Sequence, residues 1–262
     1  MLRLRGDEAH HAVRVLRLQP GDSTCVLDGA GQRITCVARS VAKSELTLEV
    51  VSRESLPAPS VPLSLFCAVP KGGLFEDILE QAIELGVSSI TPLITDHGNV
   101  RFDAKQAEAK LEKWRSIAIE SIKQCGSAWL PRVTSLMTID EAVGETSRGE
   151  LSMVADLRPG RSEITSLMKE TRASLGRTPR GMSLWVGPEG DFSPRELALL
   201  RDAEVLSITL GPRVLRCATA AVSALAIVSQ DLRVQSEESG SGLPMEPITK
   251  IPGLPDYFRG VF

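Results

Sequence analysis

The chain has 262 residues, 42% hydrophobic and 24% charged, with a formal net charge of −3. Those proportions belong to a folded globular protein and exclude a disordered or fibrous chain; the slightly acidic balance offers no global attraction for nucleic acid. No apolar run approaches the roughly 18 residues of a membrane span, and the opening MLRLRGDEAHH lacks the apolar stretch of a signal peptide, so neither is expected. Cys25, Cys36, Cys67, Cys125 and Cys217 are odd in number, scattered and never paired as CxxC. Free thiols in a reducing, cytoplasmic setting are the simplest reading. His10, His11 and His97 show no ligand spacing, and no metal is expected.

Residues 1–56 read as a small β-rich domain. His10–Asp22 predicts a short helix ending in a Pro20-Gly21 turn. Ser23–Asp28 and Arg33–Ala38 are strand-like and joined by Gly29-Ala30-Gly31, a hairpin signal, and Glu45–Val50 alternates polar with apolar. Arg3, Arg5, Arg14, Arg17, Arg33, Arg39, Lys43 and Arg53 fall in this region beside seven acids. Arginine forks suit phosphate, but the balance is only slightly positive, and a solvated mixed-charge surface stands level with a phosphate-binding one. Leu56-Pro57-Ala58-Pro59-Ser60 breaks both periodicities and reads as a linker.

Residues 61–234 change rhythm to strands alternating with helices. Strands are expected at 63–69, 89–94, 151–156, 183–187 and 205–210, and helices over 75–85, up to Gly126, and near 162–174, 194–203 and 218–233. This alternation implies an α/β fold with a mostly parallel sheet covered by helices. Residues 235–262 form a tail, Ser236–Gly242 reading as flexible and Tyr257 and Phe258 as local packing points; it is assigned no function.

Two junctions in the last third carry the chemistry. In Leu184-Trp185-Val186-Gly187-Pro188-Glu189-Gly190, a strand stops at a glycine turn, and Ser193, Pro194 and Glu196 form an N-cap, first helical position and capping box. Glu189 stands between glycines at the end of a buried strand, where burial without a partner is costly. In Leu210-Gly211-Pro212-Arg213-Val214-Leu215-Arg216, a strand closes ahead of AAVSALAIV, a helix apolar nearly all round and expected to be buried. Arg213 and Arg216 are then expected between strand and helix, with a structural ion pair and an anion-facing role equally open. Paired strand-end loops of this kind build a pocket for a small polar cofactor.

GPEG followed by LGxRVLR ahead of an alanine-rich helix resembles the C-terminal signature of the SPOUT methyltransferases. More narrowly, it resembles the bacterial family that methylates N3 of a uridine in 16S ribosomal RNA. HHAVRVLRLQPGD with LDGAG, PKGGLFEDILEQAIELGVSSITPL, and EKWRSIAIESIKQCG with LPRV fit the same family, so the match runs from about residue 8 to 233. The resemblance implies a small N-terminal β-barrel of PUA or OB-like type that grips RNA. It also implies a C-terminal α/β domain with a trefoil knot, pairing as a homodimer.

For individual residues, the resemblance implies an S-adenosylmethionine pocket formed by the loops 187–190 and 210–216, with Leu184, Gly187, Pro188, Gly190, Leu210, Gly211, Val214 and Leu215 contributing. Glu189 is then the candidate base for the N3 proton and Arg216 the candidate stabiliser of the anion. Arg14, Arg17, Lys71 and Arg213 are the candidate RNA contacts. The family reads GPEGG where this chain has Asp191, and Thr-Glu-Thr-Ala after LR where it has Cys217-Ala218-Thr219-Ala220; the chain also reads as starting after the first barrel strand. A 2′-O-ribose methyltransferase and a non-catalytic RNA-binding relative are the alternatives.

Overall fold

The computed structural model describes residues 1–14, 17–42, 45–98, 100–145, 149–158 and 160–238; the packing expected of Tyr257 and Phe258 lies outside the described residues. Among the described residues the chain divides into two compact units, Met1–Ala58 with Gly126–Trp129, and Pro59–Cys125 with Leu130–Glu238.

The first unit contains β1 (Leu2–Arg5), α1 (Gly6–Arg14), β2 (Ser23–Leu27), β3 (Gln32–Val41) and β4 (Glu45–Ser55). The strands form one antiparallel sheet in the order β1-β4-β3-β2. Its core face carries Ile34, Cys36, Ala38, Leu46 and Leu48 at alternate positions, packed with Ala9 and Ala12 of α1. Between β2 and β3 the Asp28 carboxylate accepts the amides of Ala30 (2.7 Å) and Gln32 (2.9 Å), which fixes the glycine-rich hairpin. The Gln32 amide, then that of Ala30, holds the Asp28 carboxyl below its ordinary range.

Leu2–Arg5 was not legible as a strand, since four residues are too few to show a period. It nevertheless takes the edge beside β4, because Leu2 and Leu4 reach the core while Arg3 and Arg5 flank Glu45. Several arginines of this unit are engaged across strands, Arg33 with Glu54 and Arg39 with Glu49. The segment Gly126–Trp129 completes the unit. Trp129 bridges Ala30, its indole N–H donates to the carbonyls of Pro57 (3.0 Å) and Leu56 (3.3 Å), and the Gly31 amide reaches Ala128 O at 2.9 Å. A Cβ at Gly31 would stand 2.5 Å from the Trp129 ring, so only glycine fits.

The second unit runs β5 (Leu63–Ala68), a 3-10 turn at Lys71–Gly73, α2 (Leu74–Glu84), β6 (Ser89–Ile94), α3 (Ala104–Cys125), β7 (Arg132–Val133), β8 (Met137–Thr138), α4 (Ile139–Ala142), β9 (Leu151–Ala155), β10 (Ser162–Glu163), α5 (Ile164–Leu175), β11 (Met182–Val186), α6 (Pro194–Asp202), β12 (Leu206–Thr209) and α7 (Cys217–Glu238). Its eight strands are all parallel, in the order β10-β12-β9-β11-β5-β6-β7, with β8 also pairing β6. The α/β alternation expected from the sequence is therefore observed.

Alternation along the strands divides the core between two faces. Leu63, Leu65, Cys67, Met182, Leu184 and Val186 join the layer packed by α2, α3, α5 and α7. Phe66, Val154 and Trp185 point the other way, toward α4 and α6. Phe66 and Trp185, register partners on β5 and β11, stack with ring centres 4.0 Å apart and planes within 4°. Burial on both faces is what a parallel sheet requires.

α7 differs from expectation in two ways. It runs to Glu238 rather than stopping near 233, so Ser236, expected to be flexible, is helical; Leu232 still packs on the core and carries the helix onward. It is also one-sided: Ala221, Ala224, Leu225 and Val228 are fully buried, whereas Ile227 is 38% exposed. By length and hydropathy it would suit a membrane span, unlike the sequence expectation. One face of it packs on α2, α5, β11 and β5.

Candidate active site

The loops that follow β9, β11 and β12 leave the same, carboxyl-terminal edge of the parallel sheet and meet around one cleft that opens to solvent. Ala155–Leu157 and Arg161 form one wall, Val186–Glu189 and Asp191 the second, and Leu210–Gly211 with Arg213–Leu215 the third. Cys217 and Ala220, at the start of α7, close the floor. In a parallel α/β sheet this edge is where ligands bind, because neighbouring loops part there and leave backbone groups unpaired.

The second wall is built by close approach. A Cβ on Gly187 would stand 3.2 Å from the Phe192 amide nitrogen and from its ring. Asp191 N donates to Pro188 O at 2.9 Å, closing the turn. Asp191 sits at φ +61°, in the left-handed region where glycine is ordinary and Asp among the better-tolerated residues. Its carboxylate compensates by accepting Phe192 N (2.8 Å) and Leu157 N (3.4 Å), tying this wall to the loop after β9. The position occupied by a second glycine in the family signature is therefore a left-handed one.

α6 begins as the sequence predicts, with Ser193 as N-cap, Pro194 next and Glu196 closing the capping box. Glu196 does more than cap. It is 2% exposed, and one oxygen accepts Ser193 N (2.8 Å) while the other accepts Asp96 N (2.9 Å) from the loop after β6. Ser193 Oγ returns a bond to Asp96 Oδ2 at 2.6 Å.

The structure brings Gly187, Pro188, Glu189, Leu210, Gly211, Arg213, Val214 and Leu215 together around the cleft. Leu184 is not at its surface; it is 1% exposed and belongs to the core beneath. Gly190 turns away and packs against His97. Glu189 is exposed rather than buried, so no desolvation cost attaches to it. Arg213 and Arg216 are likewise exposed, because the Leu210–Arg216 loop runs over the outside of the sheet edge; among the described residues neither makes an ion pair. Lys71 is exposed in the 3-10 turn after β5 and does not line the cleft; Arg14 and Arg17 are exposed in the first unit.

Sequence reasoning missed Asp156, Arg158 and Arg161. Asp156 is 4% exposed at the end of β9, and its carboxylate receives Arg158 Nη2 (2.6 Å), Arg158 Nε (3.0 Å) and Ser207 Oγ (2.9 Å). Burial pushes this carboxyl up, but the bonds from Arg158 and Ser207 outweigh it and hold it below the ordinary carboxylate range. Asp156 is thus an anion whose charge is already met within the fold. Arg161 donates to the Asp156 carbonyl and lines the cleft. Cys217 of the floor and Cys67 lie with sulfurs 3.7 Å apart as free thiols; the hydrogen bond to Cys217 and then burial raise Cys67 well above an ordinary thiol. Among the described residues no group of three His, Cys, Asp or Glu side chains is arranged to hold a metal ion.

This sheet, with its loop cleft, defines a class. Residues 57–229 match the RNA methyltransferase domain family, and residues 4–51 match the RNA methyltransferase PUA domain. The chain is 32% identical to ribosomal RNA small subunit methyltransferase E of Synechocystis over 85% of its own length and 70% of that protein's. It is 30% identical to the protein of the same name from Mycobacterium bovis, over 85% and 84%. A Legionella pneumophila protein solved with bound S-adenosylmethionine superimposes with TM-score 0.78 at 27% identity, covering 88% of this chain and 91% of that one. The chain belongs to the ribosomal RNA small subunit methyltransferase E family.

Proposed function

We propose that this protein methylates N3 of a uridine in 16S ribosomal RNA with S-adenosylmethionine as donor. The observation that carries the reading is the convergence of the two glycine loops, Gly187–Glu189 and Leu210–Leu215, on one cleft at the carboxyl ends of β11 and β12. The cleft fits the donor. Leu157, Val186, Val214, Leu215 and Ala220 supply apolar walls for an adenine, the glycine-bearing loops supply backbone polar groups, and the Glu189 carboxylate gives a cationic sulfonium favourable company. When bound, the cofactor supplies an electrophilic methyl group on sulfur.

The chain's own residues then position and handle charge. Glu189, exposed at the mouth of the cleft, accepts the N3 proton of a splayed-out uracil; the N3 edge is hidden in a base pair, so the base must leave its partner. Arg216 offsets the negative charge that develops on the base, and Arg213 faces phosphate. Arg14, Arg17 and Lys71 add backbone contacts.

The same reading includes the trefoil knot and a homodimer in the cytoplasm. The knot is supported by the chain path, which leaves the sheet at β12 and comes back over β11 and β5 as α7. The dimer is supported by apolar side chains left open at the cleft rim, Val214 at 73% and Leu157 at 49% exposure.

N3 methylation blocks the Watson–Crick edge, so reverse transcriptase stops at the modified uridine. Deleting the gene is expected to remove one such stop in 16S RNA, and purified protein with cofactor to restore it on small subunits. A stop that persists in the deletion refutes the reading. A deletion that removes 2′-O-methylation instead assigns the chain to ribose chemistry.

A further inference from the structure

The loop after β6, Thr95–Gly98, reaches over the carboxyl end of β5 to the Gly187–Ser193 wall of the cleft. Three of its groups are engaged there: Asp96 N on Glu196, the Asp96 carboxylate on Ser193, and the His97 ring. His97 Nδ1 lies 3.0 Å from Gly190 O and 3.0 Å from Asp191 O. Carbonyl oxygens only accept, so Nδ1 carries the proton and donates to both, which leaves Nε2 bare in the neutral ring. The approach is close, since a Cβ on Gly190 would come within 3.3 Å of His97 Cβ.

These contacts leave the wall little freedom. The peptide between Gly190 and Asp191 is held by His97 at its oxygen and by Pro188 O at its N–H. The peptide between Asp191 and Phe192 is held by His97 at its oxygen and by the Asp191 carboxylate at its N–H. Both units are fixed at each end, and the one side chain common to them is His97. Gly187, Pro188 and Glu189, immediately upstream, line the cleft.

We propose that His97 is a positioning residue of the cofactor cleft: through its Nδ1–H tautomer it clamps the Gly190 and Asp191 carbonyls and so sets the wall that bears Gly187–Glu189. This rests on the reading of the cleft as the S-adenosylmethionine site. Its role is distinct from that of Glu189, because His97 touches the wall from behind and does not line the cleft.

Asn places an amide N–H where Nδ1–H stands, whereas Gln places its amide near the Nε2 position. The experiment compares full-length His97→Asn, His97→Gln and His97→Ala by calorimetric titration with S-adenosylmethionine, alongside hydrogen exchange of residues 187–193. His97→Ala and His97→Gln are expected to weaken cofactor binding about tenfold and to lose protection in this segment. His97→Asn is expected to stay within about threefold of the parent, a rescue that a mere space-filling role would not give. Nitrogen-detected NMR is expected to show protonated Nδ1 and bare Nε2 for His97. Gly190→Ala, which presses on the ring from the other side, should match His97→Ala.

Equal affinity and equal exchange in all three His97 variants would overturn the clamp. Failure of the parent protein to bind S-adenosylmethionine would instead remove the cofactor reading, and the exchange data would still decide whether His97 fixes the wall.

Discussion

Glu196→Ala tests whether the α6 cap is also a tie between two loops. Glu196 is 2% exposed and its carboxylate accepts two amides, Ser193 N at 2.8 Å and Asp96 N at 2.9 Å. A hydrogen bond to a charged group is worth roughly 1.5–3 kcal/mol when neither partner is left bare. Removing the carboxylate strands Ser193 N in a residue that is 6% exposed, while Asp96 lies at the surface, where water replaces the lost oxygen. One full term and one reduced term give about 3 kcal/mol, compared with the ~1 kcal/mol of an isolated cap. Glu196→Gln keeps one accepting oxygen but turns an NH2 toward the other amide, so about half the loss is expected. Urea unfolding followed by circular dichroism, with unchanged m, measures both. At ~2–4 °C per kcal/mol for a chain of this size, the alanine variant should melt about 6–12 °C lower. A loss near 1 kcal/mol for Glu196→Ala, equal to that of an ordinary cap, would show that the Asp96 tie contributes nothing.

Three further outcomes follow from the same geometry. Gly187→Ala places a methyl 3.2 Å from the Phe192 amide nitrogen and ring, so calorimetry should show cofactor affinity about tenfold weaker with ~1–3 kcal/mol of overpacking; unchanged affinity would place the donor elsewhere. Asp191→Ala loses both the residue type that tolerates φ +61° and the bonds to Phe192 and Leu157, costing about 1–2 kcal/mol by denaturation, whereas Asp191→Asn should cost less than half of that. The third outcome concerns Glu150, whose carboxyl the paired hydrogen bonds of Arg177, then the Arg180 amide, lower from 4.5 to about 2. A depressed carboxyl adds stability that is complete above the unfolded value near 4.5 and lost as pH falls through about 2. Carboxyl NMR of Arg177→Ala should show the Glu150 midpoint moving up toward 4.5, and a midpoint that stays low would assign the shift to Arg180 alone.

Legibility followed the range of each signal. The α/β rhythm, the capping box and the β2–β3 hairpin are local, and the residues that make them are neighbours in sequence. Glu196 was readable as a cap, but its second acceptor role was not, because Asp96 lies 100 residues away. His97 carried no sequence signal at all: a lone histidine after a strand looks like any turn residue, and its role appears only when β6 and β11 flank β5. Arg213, Arg216 and Glu189 were placed correctly on loops but wrongly as to burial. Strand periodicity describes residues within the sheet, and it gives no information on which way a loop turns after leaving it. Asp156 was invisible for the opposite reason, since an acid at the end of an apolar strand looks exposed until Arg158 and Ser207 are seen around it.

The segment Gly126–Trp129 has a consequence for biosynthesis. Trp129 closes the hairpin at Ala30 and Gly31, yet it is made 71 residues after Ala58, the end of the continuous part of that unit. At ~5–20 residues per second, a ribosome takes roughly 4–14 s to cover that distance. For that interval the nascent hairpin emerges without the indole that caps it, and Gly31, Leu56 and Pro57 wait with their polar backbone groups in water. Vectorial synthesis therefore delays the first domain: it is completed only when part of the second has already been made.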